Sequence, residues 1–172
     1  MIQIDCTWLE VPIDHAHPGA GVIRLAASRI GATDAGRRIG VLVTIAGGPG
    51  QRGTDGIRHG TQTPVVHGRF DIVSWDPRGT SHESIIDCIP QWGPFAGLDR
   101  TPDAPSEQRA LDGRVAALAM RCRDAHGDLL PYIGMLETAL DLERLRQMLG
   151  EDRIASSAAP TARGVEQAAT GH

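Results

Sequence analysis

The sequence predicts an α/β fold, and three observations carry that expectation. Residues 39–46 (IGVLVTIA) are apolar without alternation, which suits a parallel strand covered on both faces. Phe70-Asp71-Ile72-Val73-Ser74-Trp75 offers a further strand of similar character. Residues 135–149 carry Leu136, Ala139, Leu142 or Leu140, Leu145 and Leu149 at helical spacing, and Gly150 follows as a helix stop.

The remaining elements follow in order. Leu9, Val11 and Ile13 alternate with Trp8, Glu10 and Pro12, a strand with one buried face, and Pro12 favours a sheet edge. His17-Pro18-Gly19-Ala20-Gly21 reads as a turn. Val22 to Ile30 completes a hairpin, with Ile23, Leu25 and Ala27 on one face. Residues 47–68 are rich in Gly and broken by Pro64, leaving room for a short helix at most. Residues 90–105 hold four prolines and read as a linker. In residues 106–123, Leu111, Val115, Leu118 and Cys122 recur on one helical face, with Ser106 or Asp103 as the N-cap. Cys122 is therefore expected to be buried or paired, with Cys88 the candidate partner. From Ala155 to His172 periodicity is lost, and a disordered tail is expected.

Composition narrows the function. The 172 residues carry a net charge of −4, which argues against a nucleic-acid surface. All 17 basic residues are arginine, and aromatics make up 3%, so the core is expected to be aliphatic. No apolar run approaches the roughly 20 residues of a membrane-spanning helix. The segment Met1-Ile2-Gln3-Ile4-Asp5 has neither a basic region nor an apolar stretch. No signal peptide is therefore expected, which favours the cytoplasm; export stays open if the true start lies upstream. Three scattered cysteines make neither a disulfide scaffold nor a zinc site.

The strongest local signal is Gly47-Gly48-Pro49-Gly50 directly after the buried strand. Such a loop can turn backbone N–H groups toward a developing oxyanion, although Gly/Pro clusters also serve as plain turns. Gly48-x-Gly50-x-x-Gly53 with Asp71 also fits a dinucleotide fingerprint, but Pro49, Gly56, Gly60 and Pro64 spoil the helix that should hold the pyrophosphate. Asp76-Pro77-Arg78-Gly79 follows the next strand, where Asp76 and Arg78 either brace the loop as an ion pair or bind a substrate carboxylate. Ser81-His82-Glu83 are adjacent, so they cannot form a relay and read as a solvated loop. Asp14, His15 and His17 suggest a polar turn rather than a metal site.

Together these pieces resemble one family. Cys6-x-x-Leu9-x-Val11-Pro12-Ile13-Asp14, VLVTI, GGPG, Phe70-Asp71-Ile72-Val73-x-Trp75-Asp76-Pro77-Arg78-Gly79 and Gly150-Glu151-Asp152-Arg153-Ile154 occur in the order found in α/β-hydrolases of the tripeptidyl aminopeptidase/proline iminopeptidase group. The resemblance implies a serine peptidase that releases N-terminal residues or short peptides, on a mostly parallel sheet with flanking helices and no cofactor. It places Gly47, Gly48, Pro49 and Gly50 in an oxyanion-hole loop and Asp76, Arg78 and Gly79 in a structural loop beside it. It also implies that Cys88 and Cys122 pair. Ala46 stands where relatives carry His, and Gln51-Arg52 replaces smaller residues.

After Ile154 the pattern departs. The family continues into G-x-S-x-G, the nucleophile elbow, whereas here ASSAAPTARG follows and the nucleophile's place falls near Pro160. No serine has the flanking glycines of an elbow. The expectation is therefore a partial α/β-hydrolase fold: residues 1–154 form strands one to four, truncated before the nucleophile strand, and residues 155–172 form an unrelated tail. None of the catalytic triad is present, so the chain alone is expected to be inactive. Without strand five, residues 39–46 become an apolar sheet edge that invites self-association. A non-catalytic remnant or binding module is the alternative, with a dinucleotide-binding domain as a third reading.

Overall fold

The computed structural model describes residues 3–48, 50–58, 63–89 and 99–158. They fall into two compact units, Met1–Ile85 with Tyr132–His172, and Ile86–Pro131.

The first unit is built on five strands: β1 (Asp5–Pro12), β2 (Val22–Ile30), β3 (Gly40–Ile45), β4 (Phe70–Trp75) and β5 (Ala155–Ala158). Their order is β1-β2-β4-β3-β5. β1 and β2 form the expected antiparallel hairpin, and β2 also runs antiparallel to β4. β3 lies parallel to both β4 and β5. The class is α/β, but the sheet is mixed rather than mostly parallel. Pro12 ends the edge strand β1, where its missing N–H breaks no ladder.

The parallel β3–β4 pair needs a crossover, supplied by two short helices, α1 (Gly53–Arg58) and α2 (Pro64–Arg69). One sheet face buries Leu9, Val11, Leu25, Ala27, Val43, Val73 and Trp75 against Leu142 and Leu145 of a later helix. On the other face Ile30, Ile57 and Ile72 form a smaller cluster that includes α1. Val41, Val43 and Ile45 are buried, whereas Leu42 and Thr44 between them are only half-buried.

The tail expectation needs correction at its start. Ala155–Ala158 is a strand, in register with Leu42–Ile45 of β3. Ala-Ser-Ser-Ala lacks the hydrophobic pattern of a strand, yet the β3 backbone offers a ladder for its N–H and C=O groups. The expected edge at residues 39–46 is thus covered over Leu42–Ile45, and self-association through β3 loses its basis. Residues 159–172, including the place near Pro160, lie outside the described residues.

The Leu-rich helix is α4 (Met135–Met148), counting the helix of the second unit, Pro105–His126, as α3. Gly150, with φ +68°, follows the Leu149 C-cap. Its buried face is Thr138, Ala139, Asp141, Leu142 and Leu145. Leu136, expected on that stripe, is 65% exposed.

In the second unit α3 begins with Pro105 at its first position after the N-cap Ala104. The Glu107 carboxylate accepts the N–H groups of Asp103 and Ala104, both at 3.1 Å. Neither Ser106 nor Asp103 caps the helix. No residue of α3 is buried, so the stripe from Leu111 to Cys122 does not become a core face. A disulfide joins Cys88 to Cys122, with Cα atoms 5.0 Å apart. Residues 90–98 of the expected linker lie outside the described residues.

Candidate functional site

The loops that leave the carboxyl ends of β3 and β4 lie side by side because the two strands are parallel neighbours. That edge is where open α/β sheets place their chemistry. The first loop holds Gly47, Gly48 and Gly50; Pro49 lies outside the described residues. Gly48 has φ +130° and Gly50 φ +92°, both in territory that side chains avoid. A β-carbon on Gly48 would also lie 2.8 Å from the Gly50 nitrogen and 3.1 Å from that of Gln51. The tight turn thus requires glycine at this position on two counts.

Three anchors hold this loop against the second one. Arg52 Nε donates to the Thr80 carbonyl at 3.2 Å. Thr54 donates to Asp76 Oδ1 twice, from its backbone N at 2.9 Å and from Oγ1 at 2.7 Å. Gly53 packs so closely that a β-carbon would collide with the Trp75 carbonyl oxygen and the Ser74 hydroxyl. Ser74 Oγ is itself bonded to the Thr44 carbonyl at 2.7 Å. Asp76 is buried, and its backbone N donates to the Ala26 carbonyl at 2.8 Å. Backbone N–H groups held in a preformed turn at such an edge can stabilise negative charge without reorganising.

Asp76 and Arg78 do not form an ion pair with each other. The buried Arg78 reaches α4 instead, donating to Asp141 through Nε at 2.8 Å and Nη2 at 2.6 Å. Its other N–H groups donate to the carbonyls of Pro12, Ile13 and Tyr132. Arg78 is therefore the rivet between β1, the β4 loop and α4, and is too enclosed to take a substrate carboxylate. Gly79, φ +81°, lets the chain turn immediately after it.

His15 also joins this network, with Nε2 2.8 Å from Asp141 Oδ1. His17 pairs with Asp14 instead, at 2.8 Å, and that hydrogen bond first of all holds the Asp14 carboxyl below its usual range. The two histidines serve different partners. Among the described residues no group of three or more His, Cys, Asp or Glu is placed to hold a metal. Ser81 is buried, not solvated, and its Oγ accepts the Ala26 N–H at 3.0 Å. Glu83 takes a two-pronged bond from Arg24, while His82 is exposed.

Asp71 is unsuited to hold a ribose. It accepts Ala32 N at 2.8 Å, Arg29 Nη2 at 2.7 Å and Arg38 Nε at 2.9 Å. Burial works to raise its pKa, but the Ala32 hydrogen bond and the two guanidinium groups outweigh it and hold the carboxyl below its usual range. With only a six-residue α1 after the glycines, the dinucleotide reading loses both of its supports.

Two participants escaped the sequence reading. Thr54 carries no motif. Asp141 did leave a signal: it falls three residues after Thr138 and four before Leu145, a carboxylate on the apolar face of a helix.

The chain matches known proteins over most of its length. It is 34% identical over 158 residues to tripeptidyl aminopeptidase of Streptomyces lividans, covering 88% of this chain and 29% of that protein. It is 35% identical over 159 residues to serine protease Hip1 of Mycobacterium tuberculosis, covering 87% and 29%. The chain is related to the α/β-hydrolase serine peptidases. A third relative, carboxylesterase B of Mycobacterium tuberculosis, is 32% identical over 151 residues, or 83% of this chain and 28% of that protein. No family model matches. The chain thus spans less than a third of the length of these curated relatives. Among the described residues no helix is long and apolar enough to cross a membrane.

Proposed function

We propose that this chain carries the oxyanion-hole side of a serine hydrolase that releases N-terminal residues or short peptides. One observation supports this reading above others: a glycine turn braced by Asp76 and Arg52, at the carboxyl edge of a parallel strand pair, in a relative of serine peptidases. In this reading Gly47, Gly48 and Gly50 shape the turn whose N–H groups meet the tetrahedral intermediate. Asp76 braces it through Thr54, and Arg78 and Gly79 hold the loop that carries Asp76. β5 stands where the family's nucleophile strand begins, but its sequence, ASSA, does not lead into G-x-S-x-G. These 172 residues by themselves therefore supply no activated nucleophile and do not hydrolyse peptides.

The test joins this chain after Ile154 to the part of Streptomyces lividans tripeptidyl aminopeptidase that follows the matched region. Hydrolysis of a tripeptidyl p-nitroanilide should appear in the fusion. Gly48→Val should then lower kcat on the order of 10²-fold with little change in KM, because an oxyanion donor acts mainly in the transition state. Wild-type turnover in that variant would reduce the motif to a turn.

A further inference from the structure

We infer that the cleft under the last turn of α4 binds a small uncharged hydrocarbon guest the size of toluene. The cleft has a simple origin in the sequence. In the β1–β2 hairpin the cross-strand pair Leu9–Leu25 lies next to the pair Thr7–Ala27 on the same face of the sheet. Leu9 and Leu25 fill the core beneath Leu142 and Leu145. Thr7 and Ala27 have short side chains, and α4 continues past Leu145 to Met148, so its last turn overhangs a gap. That gap holds about 180 Å³ and is walled by Thr7, Ala27, Val73, Leu145, Met148 and Leu149. Ala27, Val73 and Leu145 are buried, whereas Thr7 and Met148 are exposed and leave a way in. An apolar cavity of about 150 Å³ accepts benzene, so one aromatic ring with a methyl group fits.

The walls reject a charged guest. The two charged residues bordering the cleft are already engaged: Asp5 Oδ1 accepts Gln3 Nε2 at 3.1 Å, and Arg29 donates to the buried Asp71 at 2.7 Å. Cys6 and Ser28 also border it, but they are the cross-strand pair between Asp5–Arg29 and Thr7–Ala27, so strand alternation turns their side chains to the other face of the sheet. A carboxylate or an ammonium entering the cleft would give up its hydration and find no partner. A hydrocarbon gives up no hydrogen bond and removes both its own surface and the apolar walls from water.

The cleft lies on the sheet face that α4 covers, whereas α1, which follows the glycine turn, packs on the opposite face. The inference therefore stands whether or not the chain belongs to a peptidase site.

Titration of the isotope-labelled full chain with toluene, followed by amide chemical shifts, tests it. Saturable shifts are expected at Thr7, Ala27, Val73 and residues 145–149, with an affinity of about 1 mM. Benzoate and benzylamine carry the same ring with a charge, and each should bind at least about tenfold more weakly. Thr7→Trp, at an exposed strand position that tolerates an aromatic residue, should fill the cleft and abolish the saturable shifts while leaving the melting temperature in place. Shifts that do not saturate or that scatter over the surface, equal binding of either charged analogue, or unchanged toluene binding by Thr7→Trp would each overturn the inference.

Discussion

Gly53→Ala adds one methyl group where the structure has no room for it. The added carbon would overlap the Trp75 carbonyl oxygen and the Ser74 hydroxyl. Neither can swing aside. The carbonyl is backbone at the end of a buried strand, and the hydroxyl is bonded to the Thr44 carbonyl on β3. Relief requires α1 to lift from β4, which would stretch both hydrogen bonds from Thr54 to Asp76. Forced overpacking typically costs about 1–3 kcal/mol, and a backbone collision belongs at the upper end. The gain in helix propensity from Gly to Ala is at most about 1 kcal/mol, and less at the first position of a helix. The net loss is about 2–3 kcal/mol, or roughly 4–12 °C in Tm for a chain of this size. Gly56 is the control, in the same helix with nothing within 4 Å of its added carbon. Gly56→Ala should be neutral or stabilising by up to about 1 kcal/mol. Differential scanning calorimetry of the two variants measures both signs. A wild-type Tm for Gly53→Ala, or an equal loss for Gly56→Ala, would refute the close packing of α1 on β4 as the brace of the glycine turn.

Other perturbations probe the remaining contacts. Asp141→Asn strands the buried Arg78 charge and should cost about 3–5 kcal/mol by urea denaturation, whereas replacing both residues with leucine should recover much of that loss. Asp71 has a folded pKa below its unfolded value of about 3.9. Its contribution is therefore complete above about pH 4 and lost as pH falls through the folded value, so Asp71→Asn should flatten the acid limb of a pH–stability profile. Reducing the Cys88–Cys122 bond, with a sequence separation of 34, removes a loop constraint worth about 4 kcal/mol in the chain-entropy model. Amide exchange within Pro105–His126 should accelerate accordingly.

Much of the fold is legible because it rests on local patterns. β1, β2, β3 and β4 follow alternation or continuous apolar runs, and α4 follows the spacing of Ala139, Leu142 and Leu145. β5 is not legible, since Ala155–Ala158 owes its strand conformation to a partner, β3, more than a hundred residues earlier. The exposed Leu136 shows the same limit: spacing fixes which residues share a face, whereas tertiary packing decides how far along the helix that face is covered. At the site, Gly47, Gly48 and Gly50 announce a special backbone, because glycine demand is local. Their supports do not announce themselves. Arg78 was readable as a structural residue, but its partner could not be found by proximity, since Asp141 lies 63 positions away and the nearer Asp76 bonds to Thr54 instead. A charged residue on an apolar helical face is the signal that would have pointed to it.

The most direct test of the central claim is labelling by a fluorophosphonate probe, which reports an activated serine independently of substrate preference. The 172-residue chain should remain unlabelled, and the fusion carrying the remainder of a tripeptidyl aminopeptidase should label stoichiometrically at one serine outside residues 1–154. Stoichiometric labelling of a serine in the chain alone, or a folded fusion that stays unlabelled, would contradict the assignment of this chain to the oxyanion-hole side of a serine hydrolase.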